Sequence, residues 1–119
     1  MTTAYTKFYI NGAWVEPKGD ATLEVINPAT EEACAVISMG NADDVDAAAQ
    51  AARAAFPSWS QSSVEERTAV IQQIMAGMQA RAGDLASAIS AEMGAPMSLA
   101  TAAQVPSGMG HFAAVLPVL

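Results

Sequence analysis

The spacing of apolar residues changes at Asn41, and that change constrains the fold more than any other feature of the chain. Before it, β-branched and aromatic residues come in short runs separated by turn residues. After it, apolar residues recur at three- and four-residue intervals in a background of alanine. This order predicts an α/β chain with β-hairpins in residues 1–40 and helices in residues 41–119.

The stretch "KFYINGAWVEP" predicts the first hairpin. Phe8 to Ile10 and Ala13 to Val15 flank Asn11-Gly12, a pair that accepts the positive φ angles of a type I′ turn. Pro17 and Gly19 end it. Leu23 to Ile26 and Ala33 to Ser38 predict a second pair of strands around "NPATEE", where Pro28 disfavours helical geometry at Asn27.

Asn41 predicts the N-cap of a first helix, with Asp43 and Asp44 in the first turn, where the helix dipole favours negative charge. Val45, Ala48, Ala49, Ala52, Ala55 and Phe56 mark its apolar face, and Pro57 is expected to stop it. Ser63 with Glu66 forms a capping-box pattern ahead of a second helix, whose face carries Val70, Ile71, Ile74, Met75 and Met78. Asp84 is expected to open a third helix bearing Leu85, Ile89 and Met93, with Gly94 as its stop. Beyond it, Pro106, Gly108 and Gly110 predict a helix broken into two pieces.

Composition sets the bounds on function. Alanine supplies 27 of the apolar residues, while Phe, Trp and Tyr together number only seven, so little area per residue is available for a thick core. With the uncapped apolar stretch "AAVLPVL", this suggests a part of a larger body. A net charge of −7 without a basic cluster argues against nucleic acid and anionic membrane as partners. One cysteine, no secretory pattern and no long apolar run place the expected setting in the reducing cytoplasm.

Candidate chemistry is sparse. Cys34 follows Glu31 and Glu32, and neighbouring negative charge opposes thiolate formation, so a structural cysteine is expected rather than a small thiol-dependent enzyme. Adjacent glutamates in an extended segment point to opposite sides, and turn residues of this kind are expected in water. His111 has no ligand-spaced partners for a metal. "GMG" at 108–110 lacks a preceding strand and is expected to be a flexible helix junction rather than a phosphate loop. Trp14, Phe56 and Trp59 are expected to anchor the hairpin and first helix to the rest of the domain, while Arg67 is either a surface charge or a carboxylate partner.

Four segments then occur in order: "FYINGAWVEP", "LEVINPATEE", "DDVDAAAQAARAAFPSWSQSSVEER" and "SAEMGAPMSLATAAQV". Together they resemble the N-terminal region of the NAD(P)-dependent aldehyde dehydrogenases. The resemblance implies an aldehyde-dehydrogenase-like α/β fold, of which residues 1–119 are an incomplete N-terminal portion of the NAD(P)-binding domain. It also implies, for the intact protein, oxidation of a small aldehyde to its acid with NAD or NADP, and a homo-oligomer. In this family a cysteine thiolate attacks the aldehyde, hydride passes to the nicotinamide, and a glutamate activates the hydrolytic water. Those groups lie downstream of the matched region. No catalytic or cofactor-binding residue is therefore expected here, and the chain's partner is the remainder of the dehydrogenase.

The resemblance further implies that the main-chain oxygen of Ile26, beside the "NP" turn, and the carboxylate of Glu92 take part in a monovalent-cation site, with Glu standing where Asp is often found. A self-standing helical interaction module derived from such an enzyme is the alternative to an inactive structural fragment.

Overall fold

In the computed structural model, which describes residues 3–119, Asn11 and Gly12 have φ values of 52° and 78°. Both central residues of this turn are thus left-handed, as a type I′ hairpin requires, and Gly12 takes that conformation without a Cβ penalty. The turn joins β2 (Phe8–Ile10) to β3 (Ala13–Val15) in antiparallel register, Tyr9 opposite Trp14. Their rings lie 5.3 Å apart at 60°, a tilted cross-strand pair.

The second hairpin joins β4 (Thr22–Asn27) to β5 (Glu32–Ser38), slightly longer than expected at both strands. A further strand, β1 (Thr3–Tyr5), pairs in parallel with β5 and gives a three-stranded sheet of order β1-β5-β4. The sequence pattern did not predict β1, because three residues are too short for alternation to register. Ser38, at the end of β5, is buried and donates its hydroxyl to the Thr6 carbonyl at 2.9 Å.

α1 (Ala42–Trp59) begins at Asn41 with a reciprocal capping box, Asn41 accepting from the Asp44 N–H and Asp44 from the Asn41 N–H. Pro57 does not stop it. The proline lies close to the helix end, where one lost donor matters little, and the Ser58 and Ser60 hydroxyls donate to the Ala55 and Pro57 carbonyls, both at 3.1 Å.

α2 (Val64–Ala80) starts with the predicted Ser63–Glu66 capping box. α3 (Ala82–Met93) begins two residues ahead of Asp84, because the Arg81 carbonyl already accepts from the Leu85 N–H at 3.0 Å. Gly94 closes it at φ 70°, the left-handed cap for which glycine is suited.

The expected break near Pro106 is absent. A short α4 (Met97–Leu99) runs through a π-helical turn, Ala100–Gln104, into α5 (Val105–Val115) and a 3₁₀ turn, Leu116–Val118. The wide turn takes up the irregularity: the Val105 N–H reaches back to the Ala100 carbonyl, and Pro106, which has no N–H, enters the first turn of α5. Gly108 and Gly110 therefore lie inside α5 and form no junction.

Contacts divide the chain into two compact units, one up to Gln61 and one from Ser62. In the first, Asp44, Ala47 and Ala51 of α1 line the same groove as Ile10 and Val15 of the first hairpin. Asp44 is only 6% exposed, and its second carboxylate oxygen accepts the Lys18 N–H at 2.9 Å. In the second, Ala86, Ala100 and Val105 are buried, with Leu85, Ile89 and Met109 packed around them. On α2 the half-buried side is Arg67, Thr68, Ile71, Met75 and Met78, whereas Val70 and Ile74 of the expected face are exposed.

Two expectations follow. Asp44→Ala removes two charge-assisted hydrogen bonds from a buried site and should cost about 3 kcal/mol in urea unfolding, against less than about 0.5 kcal/mol for exposed Asp43→Ala. The Glu65 carboxyl, in the first turn of α2, is held below its ordinary value by its own backbone N–H and by the Ser63 hydroxyl. A lowered folded-state pKa stabilises the fold above the unfolded-state value and loses that contribution as pH falls through the folded one. Helicity measured from neutral pH into the acid range should accordingly fall less steeply in Glu65→Gln than in the parent chain.

Candidate functional site

The turn between β4 and β5 is built on Asn27. Its side-chain oxygen accepts the Ala29 N–H at 2.9 Å and its carbonyl accepts the Glu31 N–H at 2.8 Å. Closing the turn puts Glu31 at φ 59°, a left-handed position that sequence inspection missed because nothing but glycine or asparagine signals it reliably. Glu31 lies in the turn and Glu32 opens β5; both are exposed, and they do not converge.

Cys34 occupies a defined irregularity. Val25 pairs with Ala35 and Ile26 with Ala33, so Cys34 is the extra residue of a β-bulge. Its thiol donates to the Val25 carbonyl at 3.3 Å, and the residue is half-buried. This arrangement uses the S–H group and has no use for a thiolate, which carries no proton to donate.

The other singled-out residues lie on separate elements. Ile26 is on β4 in the first unit, and Glu92 is exposed near the C-terminal end of α3 in the second. His111 is exposed on α5. Among the described residues, no group of three or more His, Cys, Asp or Glu side chains is arranged to hold a metal ion. Arg67 donates from Nε to the Ser62 hydroxyl at 2.9 Å, linking the start of α2 to the segment before it. Trp14, Phe56 and Trp59 are 68%, 59% and 49% exposed.

What the sequence reading missed is structural. Asp44 was legible as a first-turn acid; the signal for its larger role was the Asn41-x-x-Asp44 spacing, a capping box with Asp in place of the usual Glu. The geometry around these residues is one of turns, caps and a bulge.

The model of the aldehyde dehydrogenase family matches residues 14–117. A 3-succinoylsemialdehyde-pyridine dehydrogenase from a Pseudomonas species is 44% identical over 97% of this chain, which covers 24% of that protein. An aldehyde dehydrogenase structure from Bartonella henselae superposes with a TM-score of 0.95 at 42% identity, over 98% of this chain and 24% of that one. Aldehyde dehydrogenase C from Pseudomonas syringae, solved as a cysteine-to-alanine mutant with NAD+ and octanal, gives a TM-score of 0.92 at 46% identity over 94% and 23%. The chain thus spans about a quarter of the length of the relatives it matches and corresponds to the N-terminal part of their structures. It belongs to the aldehyde dehydrogenase family.

Proposed function

We propose that these residues are the N-terminal portion of the NAD(P)-binding domain of an enzyme that oxidises an aldehyde to a carboxylic acid, and that their own part in it is structural. The match of 97% of the chain to 24% of a dehydrogenase, at 44% identity, carries this reading. The bound NAD+ in the Pseudomonas syringae relative supports a nicotinamide cofactor for the intact protein. The residues here are ill-suited to hold it: Gly108 and Gly110 lie inside α5, where the helical backbone cannot fold around a phosphate, and the strands are not joined by a crossover helix. Nucleophile, water-activating base and nucleotide cradle are then supplied by the remainder of the dehydrogenase. In the intact protein we take the setting to be a homo-oligomer in a reducing, cytoplasmic compartment.

The same reading assigns Ile26 and Glu92 to a monovalent-cation site of the intact enzyme. The end of α3 favours it physically. Glu92 stands among the outward-facing carbonyls of a helix C-terminus that has no basic residue in its last turn. A carboxylate in that negative field is stabilised by a cation, and hard cations prefer carboxylate and carbonyl oxygens.

Three measurements check these statements. The purified 119-residue chain should form no NADH or NADPH with any aldehyde, whereas the chain fused ahead of the remaining dehydrogenase residues should; turnover by the short chain alone overturns the structural reading. In the fused enzyme, Cys34→Ala should leave kcat within about twofold and cost about 1 kcal/mol of stability through loss of the thiol contact. Potassium or sodium should raise the melting temperature of the fused enzyme, and Glu92→Gln should abolish that rise.

A further inference from the structure

The apolar stripe of α1 meets the hairpin beside it only along one edge, where Val45 and Ala52 line grooves with Tyr9 and Ile10, whereas Ala49, Phe56 and Trp59 line none of those grooves. Val45, Ala49, Ala52, Phe56 and Trp59 follow one another at intervals of four, three, four and three residues. That alternation keeps side chains on one side of a helix, and here the seam is about 21 Å long. Every residue in it is exposed, Val45 at 64%, Phe56 at 59% and Trp59 at 49%. The side of α1 that the hairpin covers most carries Asp44, Ala47 and Ala51, the residues of the helix that are not exposed.

The make-up of the seam resembles a helix-packing surface more than a solvated face. Alanines at its middle let a second helix approach to about 8–10 Å, and large side chains at its two ends can clasp such a helix along its length. Asp46 and Arg53, both exposed, border the seam on the side away from the hairpin and would meet the polar flank of an incoming helix. Solvent is a poor occupant for a row of this length, since Phe56 and Trp59 alone present a large apolar area.

We propose that the α1 seam is a docking surface for a helix from the part of the dehydrogenase that lies beyond these residues. The identification rests on the family reading above and on length: the relatives carry about three-quarters of their chain outside the matched segment, which covers 24% of them. A helix from that body supplies the missing apolar partner within one polypeptide, where the effective concentration is high. The seam then orients α1 from one side while Asp44 and the hairpin orient it from the other.

The test uses a full-length enzyme, the Bartonella henselae dehydrogenase with its matched segment replaced by this chain. p-Benzoylphenylalanine in place of Phe56, or of Ala49 in a second version, is irradiated and the cross-linked peptides are mapped by mass spectrometry, with a mixture of light and heavy protein to separate contacts within and between copies. A predominant cross-link within one copy to a peptide beyond the replaced segment supports the proposal. A predominant cross-link to residues 62–119, to a second copy, or no protein cross-link overturns it. Ala49→Glu should lower the melting temperature of the full-length enzyme by about 5 °C or more, whereas Gln50→Glu, off the seam, should leave it nearly unchanged. NADH formation is recorded separately, so an inactive enzyme with the expected cross-link counts against the activity reading and leaves the docking surface standing.

Discussion

The arrangement of the first unit depends on one buried carboxylate. Asp44 takes the Lys18 N–H on one oxygen and the Asn41 N–H on the other, at 2.9 and 3.0 Å. Taking a carboxylate out of water costs several kcal/mol, so the position is tenable only because two backbone donors and the positive end of α1 act on it together. The segment after β3 is thereby tied to the start of the helix at a fixed point. Asn41 closes the pin from the other direction by accepting the Asp44 N–H at 3.1 Å. Polar contacts set the geometry here, and apolar packing follows from it.

That order of causes explains which parts of the fold were legible in the sequence. The Asn11-Gly12 turn, the Asn41 and Ser63 caps and the Gly94 stop are decided by residues within a few positions of one another, and each was readable. The π turn at Ala100–Gln104 was not, since Pro106 and two glycines signal a break equally well. Nor was the bulge at Cys34, which exists only relative to the register of β4. The packed faces of α1 and α2 were read only in part, for a related reason. Alanine occupies both the packed and the exposed sides of α1, so periodicity alone does not say which side meets the hairpin.

Of the candidate site, the local settings of a few residues were legible. Glu31 and Glu32 read as turn residues, and the structure keeps both in water. Cys34 read as structural, and its thiol is spent on a main-chain carbonyl within the bulge. The positions with a possible ionic role, Ile26 and Glu92, sit on separate elements, and sequence distance carried no information about their surroundings. Family membership does not alter the chemistry of these side chains.

The distribution of burial has a further physical meaning. Among the described residues, the buried apolar ones are Ala35, Ala86, Ala100 and Val105, none of them large. Large apolar side chains such as Trp14, Val45, Phe56, Met93 and Val118 are at least half exposed. At about 25 cal/mol per Å² of apolar surface removed from water, small side chains contribute little and the large ones contribute nothing while hydrated. Local hydrogen bonding can specify where strands turn and helices begin, yet it adds only about 1 kcal/mol per bond to stability. A segment built in this way holds its local geometry through caps and turns and obtains its remaining stabilisation when its exposed apolar faces are covered.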